Sequence, residues 1–182
     1  CPIIDNSTFC IHGGLSPKLK NVFHLNKMIT RPIETFEENT LFSDVVWSDP
    51  SDSFENLFIE NPRGRGYIFN EYSLKNFLND NALFRMIRAH QCVQNGSLFQ
   101  FDDKCITVFS ASCYNRKSEN FSGVLQLFEN DDRIEVFTFS PIKRLQKSDA
   151  VYYKVENSNK TDEKVPVCFS FRNNKLNSMR RN

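Results

Sequence analysis

Two apolar runs that each end in a histidine constrain this chain more than any other feature. The first is Phe9-Cys10-Ile11-His12, which paired glycines follow, and the second is Met86-Ile87-Arg88-Ala89-His90. Short apolar runs predict buried strands, and α/β proteins place ligands and acid-base groups at the carboxyl ends of such strands. A single histidine in this setting is usually structural. Two in similar settings indicate a shared site, provided that the fold brings the two strand ends together.

The remaining pattern predicts an α/β protein with an antiparallel or mixed sheet. Helical spacing predicts helices over Val22–Arg31 and Tyr72–Asn81, and Ser16-Pro17 is a further helix-start signal. Later apolar runs predict strands that short polar turns separate, over Tyr67–Phe69, Leu98–Phe101, Cys105–Phe109, Gly123–Phe128 and Ile134–Phe139. We therefore expect helices early in the chain and a sheet that dominates its later part.

Charge is distributed unevenly along the chain. Residues 1–140 carry 13 Lys/Arg and 18 Asp/Glu, whereas residues 141–182 carry ten and four. An acidic body with a basic extension argues against a nucleic-acid-binding surface. No stretch approaches the roughly eighteen apolar residues of a membrane span. We divide the chain into residues 1–140 and a basic extension, residues 141–182, in which Ala150–Val155 and Val165–Phe171 could form a hairpin before a disordered tail.

The six cysteines leave two redox interpretations open. Their even number, together with N-x-[ST] sequons at Asn6, Asn95, Asn120 and Asn159, permits a secreted, disulfide-bonded binding module. However, the cysteines lack C-x-x-C spacing, and four of them lie within or beside apolar runs. Reduced thiols in a cytoplasmic or nuclear protein fit this arrangement better.

Five motifs with characteristic spacing occur in order along the chain. They are Phe9-Cys10-Ile11-His12-Gly13-Gly14-Leu15-Ser16-Pro17, Asp44-Val45-Val46-Trp47-Ser48-Asp49-Pro50, Arg63-Gly64, Ile87-Arg88-Ala89-His90-Gln91 and Thr107-Val108-Phe109-Ser110-Ala111. Over about residues 6–140 the chain resembles the carboxyl-terminal half of the catalytic domain of serine/threonine phosphoprotein phosphatases of the PPP family. The resemblance implies the calcineurin-like metallophosphoesterase fold, a four-layer αββα β-sandwich with two metal ions at the strand ends.

The resemblance also implies catalytic and metal-binding roles. His12 and His90 match two ligands of the second metal ion, and neutral imidazoles suit Mn²⁺, Zn²⁺ or Fe²⁺. Arg63 matches the arginine that holds the substrate phosphate. Tyr114 matches a tyrosine on a mobile loop beside the metals.

The surroundings of that site can be assigned in the same way. Trp47 and Asp49 would line the substrate groove, with Asp49 adding acidity, and Arg88 and Gln91 would lie behind the metal ligands. The activity implied is hydrolysis of phosphoserine and phosphothreonine in phosphoprotein substrates by a metal-activated hydroxide. Regulatory subunits are further expected partners.

Some family features are absent from this chain. It contains no Gly-Asp dipeptide and no Asn-His pair, from which the family's other metal ligands come, and its only histidines are His12, His24 and His90. Two imidazoles without carboxylates form a weak site, so we expect this chain alone to be inactive. The start at Cys1 favours a fragment of an active phosphatase. The alternatives are a catalytically inactive scaffold or phosphoprotein binder and, from a different class, the secreted module.

Overall fold

The computed structural model describes residues 1–29, 32–33, 40–52, 55–116, 118–129 and 131–141. The hairpin predicted within the basic extension lies outside these residues. The described helices are α1 (Val22–Met28), α2 (Leu41–Trp47) and α3 (Glu71–Asp80). The described strands are β1 (Ile3–Ile4), β2 (Thr8–Cys10), β3 (Asp49–Pro50), β4 (Phe58–Glu60), β5 (Tyr67–Phe69), β6 (Arg85–Arg88), β7 (Ser97–Gln100), β8 (Cys105–Val108), β9 (Ser122–Phe128) and β10 (Asp131–Phe139).

A mixed five-stranded sheet forms the centre of the fold. Its strand order is β1-β2-β6-β8-β7. The three central strands, β2, β6 and β8, run parallel to one another, whereas β1 and β7 pair antiparallel at the two edges. Because the central strands are parallel, their carboxyl ends meet at one edge of the sheet. The prediction of a mixed sheet is confirmed.

Apolar side chains of the central strands and of α3 form the core. Phe9, Leu74, Met86 and Ile106 have no exposed surface, and the rings of Phe9 and Phe77 lie 5.4 Å apart. Burying four such side chains stabilises the fold by roughly 2 kcal/mol each. All four residues of β6 are buried, including the arginines at its two ends, as expected of a strand that is covered on both faces.

Two smaller sheets complete the described part of the chain. β3, β5 and β4 form a three-stranded sheet in which β3 pairs parallel to β5 and β4 pairs antiparallel to it. β9 and β10 form an antiparallel hairpin with an irregular register between Asp131 and Ile134. Since only Ser48 separates α2 from β3, the end of α2 leads directly into this small sheet.

The helix-start signal at Ser16-Pro17 is wrong, because the chain forms only a turn there. The Ser16 hydroxyl donates to Asp44 Oδ2 at 2.7 Å, which fastens this turn to α2. The first helix begins instead at Val22, where the Asn21 side chain accepts a hydrogen bond from the Phe23 N–H. Side-chain capping of this kind marks a helix start only where the following residues can also pack as a helix.

In the part of the chain that the structure describes, no helix combines the length and the apolar character that crossing a membrane requires.

Candidate active site

His12 and His90 lie side by side at the carboxyl ends of two parallel strands. Cys10 of β2 is paired with Ile87 of β6, and backbone hydrogen bonds continue this pairing past both strand ends. The Ala89 N–H donates to the carbonyl oxygen of His12 at 3.0 Å. The two imidazole rings have centroids 5.2 Å apart and cross at 68°. The fold therefore brings together the two histidines that the sequence singles out.

The backbone of His90 is in the left-handed region, with φ of 63°. Few residues other than glycine adopt this conformation, and such residues concentrate at functional sites. At His90 it turns the chain sharply at the end of β6. The ring consequently faces both His12 and Trp47, whose ring centroid lies 5.3 Å away.

Both histidines are held in the neutral form. Burial lowers the pKa of His90 to about 4; Asp49 opposes this shift, and Arg88, Arg63 and His12 add to it. Burial and the charge of Arg88 also lower the pKa of His12. Arg63 Nη1 lies 2.8 Å from His90 Nε2, and a guanidinium can only donate. His90 Nε2 must therefore be the acceptor, which leaves the ring proton on Nδ1.

The two histidines fit a divalent metal ion in part. Their rings are adjacent and neutral, which is the form that ligates a metal. A complete site also needs further oxygen or nitrogen donors. Within the described ranges, no group of three or more His, Cys, Asp or Glu side chains is arranged to hold a metal ion. This chain would therefore contribute His12 and His90 to such a site, and other groups would have to complete it.

Arg88 is the last residue of β6, two positions before His90, and its side chain joins the surrounding loops. Its side chain is buried and donates to Gly13 O at 2.6 Å, Gln91 Oε1 at 2.8 Å, Asp49 Oδ1 at 2.9 Å and Ser48 O at 3.2 Å. Burial lowers the pKa of the guanidinium, and the Asp49 carboxylate opposes that shift. One cation thus joins the loop after β2, the end of α2 and the turn after β6.

Asp49 lies deep within the candidate site. The resemblance implies that Asp49 adds acidity to a substrate groove, and this role stays a prediction; in the structure 5% of its surface is exposed. Its Oδ1 accepts from Arg88 and its Oδ2 accepts from Asn61 Nδ2 at 3.0 Å. The Arg88 guanidinium balances the charge of the Asp49 carboxylate, which would be costly to bury unpaired. The ion pair therefore stabilises the buried side of the site.

Arg63 lies on a loop whose shape Asn61 determines. The Asn61 side chain accepts from the Arg63 N–H at 3.0 Å and donates to the Trp47 carbonyl at 3.2 Å. The sequence motifs do not single out Asn61, although asparagine before proline at the start of a glycine-containing loop is a turn signal. The Arg63 guanidinium also lies 3.7 Å from Asp49 Oδ2, so the carboxylate and His90 together orient it.

Trp47 forms an aromatic wall beside His90. Its ring is half-buried and meets the His90 ring edge-on at 80°. Trp47 also contacts Arg65, whose guanidinium carbon lies 5.6 Å from the centroid of the Trp47 ring. The contact between Arg65 and Trp47 is visible only in the structure.

Tyr114 lies on a short 3-10 turn, Tyr114–Arg116, that follows β8. Tyr114 is 44% exposed, and its ring packs edge-on against that of Phe109, with centroids 5.0 Å apart. The buried Asn120 accepts from the Tyr114 N–H at 2.9 Å and donates to the Ala111 carbonyl at 2.8 Å. Because β8 pairs parallel to β6, this turn leaves the same edge of the sheet as the histidines.

The chain is similar to several curated phosphatases. It is 34% identical over 162 residues to a PP2A-like serine/threonine-protein phosphatase of Saccharomyces cerevisiae, covering 83% of this chain and 44% of that protein. It is 34% identical over 149 residues to the catalytic subunit of serine/threonine-protein phosphatase 6 of Caenorhabditis elegans, covering 82% and 44%. It is 37% identical over 131 residues to a catalytic subunit of protein phosphatase 2A from Dictyostelium discoideum, covering 72% and 41%.

The solved structures agree with this relationship at the level of fold. A serine/threonine phosphatase structure from Saccharomyces cerevisiae, described as similar to human phosphatase PP5, matches with a TM-score of 0.63 at 24% identity. The match covers 77% of this chain and 46% of the solved one. It confirms the mixed α/β fold class that the resemblance implied.

No family model matches the chain. The curated relatives nevertheless establish that this chain belongs to the serine/threonine protein phosphatase family, and the chain spans less than half of their length.

Proposed function

We propose that the protein to which this chain belongs hydrolyses phosphoserine and phosphothreonine esters in proteins. The observation that carries the proposal is the convergence of His12, His90 and Arg63 at one edge of the sheet. Two adjacent neutral imidazoles and a guanidinium combine metal-ligating groups with a group that binds phosphate. The relatives that carry phosphatase names support it.

Each residue of the site has a stated role in this proposal. His12 and His90 hold one divalent ion, with Mn²⁺, Fe²⁺ and Zn²⁺ as the candidates. When bound, such ions neutralise phosphate charge and lower the pKa of water. Arg63 moves its guanidinium from His90 to the phosphate oxygens, where bidentate hydrogen bonds orient the ester. The Asp49 carboxylate keeps the guanidinium close to the site during this move, which limits the reorganisation required.

Surrounding side chains set the shape of the substrate groove. Trp47 supplies an apolar wall against which a peptide can lie, and Tyr114 borders the groove from the turn after β8. Arg88 and Gln91 keep the loops that carry both histidines in place. Phosphoproteins are the substrates, regulatory subunits are additional partners, and the cytoplasm or the nucleus is the compartment that we propose.

The experiment compares the full-length protein with an Arg63→Ala variant on a phosphothreonine peptide, with Mn²⁺ added. The expected result is phosphate release by the wild type and a loss of about 10²–10³-fold in kcat/KM for the variant, because a transition-state donor is lost. Arg133→Ala is the matched control, since Arg133 lies on the β9–β10 hairpin and is 57% exposed. The control is expected to keep wild-type activity.

A catalytically inactive phosphoprotein binder is the second candidate, and the incomplete metal-ligand set within the described residues favours it. It predicts that the full-length wild-type protein binds the phosphopeptide with any of the three metals and releases no phosphate. In that case Arg63→Ala weakens binding alone. Isolated residues 1–182 are expected to release no phosphate under either candidate, so the full-length protein decides between them.

A further inference from the structure

The Arg63 guanidinium is held close to the candidate site but is not locked in place. Its Nη1 atom lies 2.8 Å from His90 Nε2 and 3.7 Å from Asp49 Oδ2, and the second distance is too long for a hydrogen bond. The side chain is 45% exposed, so a phosphate group can reach it from solvent. A guanidinium in a closed ion pair with Asp49 would have to break that pair before it could bind phosphate.

The Asn61 side chain accounts for this arrangement, because it occupies the carboxylate oxygen that lies nearest to Arg63. Asn61 Nδ2 donates to Asp49 Oδ2 at 3.0 Å, and Arg88 Nη2 donates to Asp49 Oδ1 at 2.9 Å. Each oxygen of Asp49 therefore already accepts a hydrogen bond from a buried donor. The carboxylate attracts the Arg63 guanidinium by its charge without binding it directly. Asn61 thus keeps the guanidinium available.

Asn61 also fixes the backbone of Arg63. Its Oδ1 atom accepts a hydrogen bond from the Arg63 N–H at 3.0 Å, and its carbonyl oxygen accepts one from the Gly64 N–H at 2.9 Å. These bonds close a β-turn with asparagine first, Pro62 second and glycine fourth, the order that such turns favour. Asn61 Nδ2 also donates to the Trp47 carbonyl oxygen at 3.2 Å, which anchors the turn to the end of α2.

We propose that Asn61 is a positioning residue for phosphate binding and that it acts through Arg63. The Asn61 side chain is buried and contacts Arg63 at its backbone directly and at its guanidinium through Asp49. An amide suits this role, because it supplies two donors and an acceptor without adding charge beside the phosphate. The inference rests on the proposed phosphatase function and adds to it the residue that keeps Arg63 available.

The test is a double-mutant cycle in the full-length protein, with a phosphothreonine peptide and Mn²⁺. Asn61→Ala alone is expected to lower kcat/KM by about 10–100-fold, because a displaced guanidinium binds the transition state poorly. Arg63→Ala alone is expected to lower kcat/KM by about 10²–10³-fold. In the Arg63→Ala background, Asn61→Ala is expected to change kcat/KM by less than about twofold, since the group that Asn61 positions is then gone.

Asn70→Ala is the matched control. Asn70 is also buried, and its side chain forms hydrogen bonds with Ser73, Glu55 and Asn56 at the start of α3. This variant is expected to lower the melting temperature, because a helix cap is lost, and to keep the wild-type kcat/KM. If Asn61→Ala prevents folding, Asn61→Ser takes its place in the cycle, because its hydroxyl can still accept from the Arg63 N–H.

A purely structural role for Asn61 gives a different result. Asn61→Ala would then lower the melting temperature and leave kcat/KM unchanged, or it would lower kcat/KM by the same factor with and without Arg63. Either result would overturn the inference.

The same cycle is measured by binding, with a non-hydrolysable phosphonate peptide in place of the substrate. The expected result is a loss of affinity in Asn61→Ala that disappears in the Arg63→Ala background. If no peptide is hydrolysed, the proposed function fails, and the affinities still decide whether Asn61 acts through Arg63. Equal rates and equal affinities for the wild type and Arg63→Ala would also overturn the inference, because Arg63 would then bind no phosphate.

Discussion

At the scale of single residues, the site depends on Arg88 more than on any side chain that faces solvent. Arg88 and Asp49 are both buried and share a 2.9 Å ion pair, and Arg88 also satisfies the carbonyl oxygens of Gly13 and Ser48. Removing one member of a buried pair leaves the other charged and unpaired, which costs about 3–5 kcal/mol. We expect Arg88→Met to reduce the free energy of unfolding by that amount.

Urea unfolding of the full-length protein, followed by circular dichroism, measures this loss. The control Arg133→Met removes an exposed arginine and is expected to change stability by less than about 0.5 kcal/mol. Adding Asp49→Asn to Arg88→Met should recover part of the loss, because the orphaned charge is then gone. Equal effects of Arg88→Met and Arg133→Met would show that the buried pair does not stabilise the site.

The residue scale is also where sequence reasoning was most informative and most incomplete. His12 and His90 could be found because an apolar strand that ends in a histidine is visible as a pattern. Asn61 and Asn120 could not be found in this way, since asparagine is common in loops and only tertiary contacts reveal that both are buried. The burial of Asp49 was hidden for the same reason: its partner, Arg88, is 39 positions away.

At the scale of elements, the loop after β2 and the end of α2 fit together through a glycine. The Gly13 N–H donates to the Val45 carbonyl at 2.9 Å, and a Cβ at this position would overlap the carbonyl group of Val46. From the sequence, paired glycines indicate a sharp turn. Their main structural role is close packing against a helix, which periodicity in the sequence does not encode.

Gly13→Ala is therefore expected to destabilise the protein by about 3 kcal/mol, because one backbone segment must move away from another. Gly64→Ala is the matched comparison. Gly64 has φ of 78°, but a Cβ added there would meet no atom within 4 Å, so only the left-handed strain of about 1–2 kcal/mol applies. Thermal unfolding of both variants tests the ranking. A Gly13→Ala variant that is as stable as the wild type would contradict the packing of this loop on α2.

At the scale of the whole molecule, the redox state separates a reduced phosphatase from a disulfide-bonded module. Cys1, Cys10, Cys92, Cys105 and Cys113 are not disulfide-bonded, and Cys168 lies outside the described residues. Asn120 makes hydrogen bonds to Ala111 and Phe121 with no exposed surface, so its sequon is inaccessible in the folded chain. The described residues therefore form no disulfide framework among themselves, and the secreted-module interpretation loses this support.

The thiols are expected to differ in reactivity according to burial. Burial raises the pKa of Cys105 to about 12, so this thiol stays protonated and unreactive at about pH 8, whereas Cys1 and Cys92 are exposed. Alkylation of the native full-length protein without reductant should modify Cys1 and Cys92 within minutes and Cys105 only after denaturation, as peptide mass spectrometry can measure. Rapid native modification of Cys105 would show that the core around β8 is open. A disulfide between any two of the five positions would instead show that the folded chain differs from the one described, in which these cysteines are not disulfide-bonded.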